Sequence, residues 1–191
     1  KMIKQIKGMA VCLLLHSAAA TAFSAQAGDL GTDAAVIERV ISAGGSISEW
    51  LVAVGAEQQL IGVDTTSLHP QSLQALPSVG YQRQLAAEGV LTLQPQVLFG
   101  SDEMGPPPVL QQLRSAGVQI ETLPVDANML AVSQAVRRIG AVLARSEQAE
   151  QALSAFKQGI WQQQQKLALI DGAAPRVLLV FSVGHGNPLT A

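Results

Sequence analysis

Cysteine is almost missing from this chain: 191 residues contain one, Cys12, inside an N-terminal stretch that reads as removable. Without it there are no disulfides and no thiolate ligands, so any metal would be held by oxygen or nitrogen. A Cys-x-x-Cys-His haem attachment site is absent as well. Aromatic residues are only 4% of the chain, with a single tyrosine, Tyr81. The three histidines, His16, His69 and His185, are scattered. No nucleophile, base and orienting group gather in one motif, so nothing points to an enzyme. The Gly-Gly pair at Gly44 and Gly45 lacks the G-x-G-x-x-G spacing, which removes support for dinucleotide binding. Basic residues are in deficit, 12 against 14 acidic.

What is present begins with a leader. Lys1, Lys4 and Lys7 precede an apolar run over 9–15 and a small-residue stretch ending at Ala27. This is the pattern of a signal peptide over 1–27, cut after Ala27 or alternatively after Ala25. Its apolar core is too short to cross a bilayer stably. Cys12 follows Val11, where a lipoprotein site wants a small residue. The expected mature protein is exported, soluble and free of cysteine. It keeps about 164 residues, with 9 basic against 14 acidic, a net charge near −5. That balance argues against a general nucleic-acid surface while leaving room for a small basic patch.

The rest alternates short strands and short helices. Strands are predicted over 39–43, 60–63, 96–99 and 118–123, and helices over 46–54, 86–93 and 108–116. Ser46 and Glu49 match a capping box, and Gly55 a helix stop. Such alternation predicts a parallel sheet covered on both faces. The loop over 64–80 is long, polar and proline-punctuated, hence a candidate for function. Two helical patterns follow, over 130–144 and from Ser146 to about 169. At about 1.5 Å per residue the second would reach roughly 35 Å, enough to link two lobes. A strand over 176–181 reads as the first of a second α/β lobe. The expected layout is therefore a leader (1–27), an N-terminal α/β lobe (28–144), a bridging helix (145–170) and the start of a C-terminal lobe (171–191).

Tyr81 lies in Gly80-Tyr81-Gln82-Arg83, a glycine-opened connection just before an α/β unit. In a parallel-sheet domain that is a place to hold a side chain over a ligand. A phenolate with a guanidinium two residues away suits Fe(III), since the cation favours the ionised phenol. Taken alone, a loop tyrosine is more often packed or hydrogen-bonded than metal-ligating.

Four segments together carry a resemblance: Ser42-Ala-Gly-Gly-Ser46 with its flanks, Leu60-Ile-Gly-Val-Asp-Thr-Thr-Ser67, Leu76-Pro-Ser-Val-Gly-Tyr-Gln-Arg83 and Ala87-Glu-Gly-Val-Leu-Thr-Leu-Gln-Pro95. The chain resembles the periplasmic haem-binding proteins of bacterial haem ABC importers, within the wider class that also carries siderophores and cobalamin. The resemblance covers nearly all of 39–191, and full members of the family extend further. It implies an α/β fold of two Rossmann-like lobes joined by one long helix, with the second lobe incomplete here and the ligand in the cleft.

By this resemblance Tyr81 matches the axial ligand of haem iron, and Arg83 is its companion cation, for the phenolate or a haem propionate. His185, after the first strand of the second lobe, is a candidate second iron ligand, an alternative to a propionate contact or a strand end. Many family members lack a histidine there. Gly44, Gly45 and Ser46 offer backbone N–H groups at a helix start, suited to a propionate. Glu88 matches the carboxylate presented to arginines of the membrane permease. His69 reads as an exposed loop residue, while Met104 and Trp50 read as packing residues, Met104 with the option of touching a porphyrin face.

The expected function is a periplasmic, monomeric binding protein that takes ferric haem b and delivers it to an inner-membrane ABC permease. An outer-membrane haem receptor system would be an indirect partner. The alternatives are an Fe(III)-siderophore or cobalamin carrier of the same class, and an exported haem redox protein.

Overall fold

Val40-Ile-Ser-Ala has no helical period and carries two β-branched residues, and it forms a strand, β1 (Val40–Ala43), in which every residue is buried. Burial on both faces is the mark of an inner strand of a parallel sheet. In the computed structural model, which describes residues 36–170, 172, 176–178, 180–181 and 189–190, β1 lies between β2 (Leu60–Val63) and β3 (Val97–Ser101). A fourth strand, β4 (Gln119–Leu123), completes the order β2-β1-β3-β4, with all three pairings parallel.

Alternate strand residues feed two cores, as a pleat of period two requires. Val40, Val97, Phe99 and Leu123 meet Ile47 and Leu51 of α1 (Gly45–Ala53), Val136 and Ile139 of α4 (Met129–Val142), and Ala149 and Leu153 of α5 (Ser146–Ala168). Ile41, Ala43 and Leu98 face the other way, onto Val90 of α2 (Ala87–Thr92) and Leu110 and Leu113 of α3 (Pro107–Ser115). The sheet is thus covered on both faces, as its sequence pattern predicts. The chain leaves β1 towards β2 through α1 on one face, then returns to β3 on the far side of β1 through α2 on the other. That reversal creates a crevice outside the carboxyl ends of β1 and β3, where ligands of open parallel sheets bind.

The helices answer to local and distant signals. The Asn128 side chain accepts the Ala131 N–H at 2.9 Å and caps α4. Arg39 closes the end of α2 by donating to the Gln94 carbonyl at 2.9 Å and the Leu93 carbonyl at 2.5 Å. The 23 residues of α5 extend about 35 Å. Ala149 and Leu153 bury its first half, Phe156 meets Trp50 edge-on with ring centroids 5.1 Å apart, and Ile160, Trp161 and Leu167 lie exposed beyond. No helix among the described residues is long and apolar enough to cross a membrane.

Two local expectations are corrected. The capping box at Ser46 and Glu49 does not form: α1 begins one residue earlier, at Gly45, with Gly44 as a cap that has no side-chain bond of its own. The donors are met by residues distant in sequence, described below. The strand expected over 176–181 is paired only at Val180–Phe181 (β5), antiparallel to Leu189–Thr190 (β6), while 176–178 have no ladder and so are not strand. The leader over 1–27 and His185 lie outside the described residues.

One ion pair, buried on its glutamate side and half exposed on its arginine side, ties the sheet edge to its helix cover. Glu121 of β4 receives two hydrogen bonds from Arg138 of α4, both 2.7 Å, and a third from Gln119 at 2.7 Å. Burial pushes the Glu121 carboxyl up, but the bonds from Arg138 and Gln119 outweigh it and hold the group below the usual carboxylate range. A carboxylate so lowered adds stability above its unfolded value and loses it as pH falls through the folded one. Arg138→Met is therefore expected to lower the thermal midpoint by several degrees near pH 7, with a deficit that shrinks progressively below about pH 4. An equal deficit at both ends of that range, in melts followed by circular dichroism, would assign the loss to packing rather than charge.

Candidate functional site

The carboxyl ends of β1 and β2 are joined by a buried polar network centred on Asp64, which is 2% exposed. Asp64 Oδ1 accepts the Gly44 N–H at 3.0 Å and the Ser67 hydroxyl at 2.7 Å, while Oδ2 accepts the Thr66 hydroxyl at 2.8 Å. Ser48 of α1 donates to Ser42 of β1 at 2.7 Å and lies 2.7 Å from the Ser67 hydroxyl. The Asp64 N–H donates to the Ser42 carbonyl at 3.0 Å. Thr66 Oγ1 also accepts the Gly45 N–H at 3.1 Å. The loop after β2 therefore caps α1. The contact is close: a Cβ on Gly45 would lie 2.7 Å from the Thr66 carbonyl oxygen, so only glycine fits. Among the described residues no buried side-chain polar atom is left without a partner.

This geometry changes the reading of Gly44 and Gly45. Their amides are engaged by Asp64 and Thr66, so neither is available to receive an anion. Only Ser46, exposed in the first turn of α1, keeps that option. It borders a cavity of about 180 Å³ between α1 and α4, shared with Ile47, Trp50, Pro124 and Val132. Tyr81 does not line that cavity.

The backbone around Tyr81 is fixed by hydrogen bonds from two neighbouring segments. The loop over 64–80 returns alongside β2 through Val79 N–H to the Val63 carbonyl, 2.9 Å, and Thr65 N–H to the Gly80 carbonyl, 2.9 Å. Gly80 then turns the chain with φ of 89°, a conformation natural to glycine. Tyr81 opens a short 3-10 turn over Gln82–Gln84, closed by Gln84 N–H to the Tyr81 carbonyl at 2.8 Å. From the other side, Gly105 N–H donates to the Gln82 carbonyl at 3.0 Å and Leu85 N–H to the Gly105 carbonyl at 2.8 Å. The ring is left 40% exposed where the loops after β2 and β3 converge.

Arg83 shares that turn, and its guanidinium meets Glu103 of the loop after β3 at 2.5 Å, both side chains about half exposed. Arg83 is held above its ordinary value by the hydrogen bond and charge of Glu103 and then by the charge of Tyr81. Glu88 lies exposed in the first turn of α2, and His69 is exposed in the long loop. Met104 is 4% exposed and packs on Gly100 in the core between the sheet and α3, which settles its role as packing. Among the described residues no group of three or more His, Cys, Asp or Glu side chains is arranged to hold a metal ion. Sequence reasoning missed Asp64 and Glu103. For Asp64 a partial signal existed: Ser42 is a polar residue between Ile41 and Ala43 in an otherwise apolar strand, and a buried hydroxyl needs a partner.

A model of the periplasmic binding protein family matches residues 40–188. Among solved structures, a periplasmic heme-binding protein from Pseudomonas aeruginosa is 48% identical with a TM-score of 0.74, over 81% of this chain and 56% of that one. The periplasmic heme-binding protein HutB of Vibrio cholerae is 40% identical with a TM-score of 0.65, over 80% of this chain and 58% of that one. A vitamin B12-binding protein of Pectobacterium atrosepticum is 31% identical over 127 residues, 66% of this chain and 45% of that one. The chain thus spans about half the length of the relatives it matches.

Asp64→Ala would strand three donors that now share one carboxylate, and should cost about 2–4 kcal/mol of unfolding free energy. Urea denaturation measures it, and a loss under about 1 kcal/mol would mean that the network does not restrain the loop.

Proposed function

This chain belongs to the periplasmic binding protein family, and from that premise we propose that it binds ferric haem in the periplasm and delivers it to an inner-membrane ABC permease. The observation that carries the reading is the chain's one tyrosine, exposed at the carboxyl end of a parallel sheet with Arg83 in the same short turn. A phenolate is a hard anionic donor suited to Fe(III), and a porphyrin brings the other four nitrogens itself. The absence of a metal-ligating cluster among the described residues suits a cargo that arrives with its iron already chelated. Leu68 in the loop after β2 and Val125 in the loop after β4 leave exposed apolar surface at the same end of the sheet, which a porphyrin face can cover. The likeness to two haem-binding structures at 48% and 40% identity supports the same cargo.

In this reading residues 28–144 form one lobe, α5 within 145–170 bridges to a second, and 171–191 begin that second lobe. Arg83 serves the phenolate or a propionate, His185 is a candidate second iron ligand or propionate partner, and Glu88 docks on the permease. The protein is a monomeric carrier and performs no catalysis. One observation favours a second cargo: the likeness to a vitamin B12-binding protein. Cobalamin brings its own cobalt ligands and needs no phenolate, so Tyr81 separates the two.

Hemin and cyanocobalamin are titrated into the full-length protein, with Tyr81→Ala and His185→Ala alongside. Wild type should give a saturable ferric haem spectrum with a phenolate-to-iron band. Tyr81→Ala should abolish that band and weaken binding at least about tenfold, the scale on which even supporting residues of metal sites act. A shift on His185→Ala would mark a sixth ligand. Saturable cobalamin binding without hemin binding would reverse the assignment.

A further inference from the structure

Arg83 and Glu103 come from separate loops, and their meeting is built into the backbone. The turn carrying Arg83 and the loop carrying Glu103 are stitched together by the two hydrogen bonds of Gly105, at 3.0 and 2.8 Å. The Glu103 N–H is anchored on Ser101 Oγ at 3.3 Å. The resulting contact is short, 2.5 Å, yet the side chains are 52% and 46% exposed, and ion pairs so open to water hold weakly. A strong, dry pair would lock the guanidinium, whereas this one positions it and still lets it go.

The chemistry of the acidic partner is specific. A glutamate side chain is two methylenes ending in a carboxylate, the same group as the propionate arm of a haem. We propose that Glu103 is a built-in stand-in for a haem propionate, holding Arg83 beside Tyr81 until the carboxylate of the cargo takes its place. The proposal rests on the haem reading above and assigns regulation of that site. Exchange of one carboxylate for another on the same guanidinium is close to balanced, so the cargo gains a contact without becoming trapped. Once displaced, Glu103 stands beside the propionate as a like charge ready to reclaim Arg83, which favours release at the permease.

Full-length wild type, Glu103→Gln, Arg83→Gln and the double variant are titrated with hemin and with hemin dimethyl ester, whose propionates carry no charge. Glu103→Gln should bind hemin about two- to fivefold tighter, the worth of an exposed ion pair. It should bind the ester as wild type does, and the gain should shrink or vanish in the Arg83→Gln background. Equal or weaker hemin binding by Glu103→Gln overturns the proposal and leaves the haem reading standing. So does an equal gain with the ester, or a gain undiminished without Arg83. If wild type binds no hemin at all, the haem reading fails and the proposal falls with it.

Discussion

A single buried carboxylate governs the working edge of this sheet. Asp64 is the first residue past β2, and its oxygens receive the Gly44 N–H and the hydroxyls of Thr66 and Ser67. A polar group removed from water is costly unless its hydrogen bonds are replaced, so each of these partners is constrained by the others. The β1–α1 turn cannot shift without exposing the carboxylate to an unmet demand, and neither can the loop after β2. The loop that runs on to Tyr81 therefore starts from a fixed point, and the Thr65 N–H bond to the Gly80 carbonyl brings it back to one.

That constraint explains how a large aromatic can be both ordered and exposed. A surface ring normally gains its position by burying itself, which would remove it from any ligand. At Tyr81 the backbone is held on one flank by β2 and on the other by Gly105, which fixes where the side chain leaves the chain. The topology supplies the rest. Reversal of strand order at β1 and β3 opens a crevice at their carboxyl ends, and the loops after β2 and β3 both arrive there. Rigid support beneath an open side chain is what a binding site needs, because little order is lost on loading.

The layered architecture could be read from the sequence because each element announces its own period. Val40-Ile-Ser-Ala has no helical spacing, while Val132, Ala135, Val136 and Ile139 recur as one helix face, and both elements formed as expected. That Tyr81 and Arg83 share one turn was legible because they are two residues apart. What could not be read was long-range. Ser46 and Glu49 look like a cap, but α1 takes its partners from Asp64 and Thr66, and a side chain some twenty positions away leaves no local pattern. The same holds for Glu103, which gives no hint in its own segment that it faces Arg83. The edge pairing of Glu121 with Arg138 is a third case, since a carboxylate on a strand reads as solvated until the helix that covers it is in place.

Charge decides how such a site would treat an anionic cargo. The chain carries a formal net charge of −2, so at long range it offers no attraction to ferric haem, whose two propionates outweigh the single positive charge of its iron-porphyrin core. In physiological salt, however, fields fade within about 8 Å, and a ligand that has reached the edge of the sheet responds to its immediate neighbours. There Arg83 is the cation beside the phenol, and Glu103 partly cancels it. A site with an uncancelled guanidinium would bind any carboxylate that drifted past. With Glu103 in attendance, a carboxylate alone gains little by displacing it, and only a ligand that also supplies a metal for Tyr81 and an apolar face for the surrounding surface gains enough to stay. On the proposed haem reading, the acidic partner lowers the affinity of every carboxylate ligand and so leaves a simple carboxylate too little to stay, which would suit a carrier that must give its ligand away.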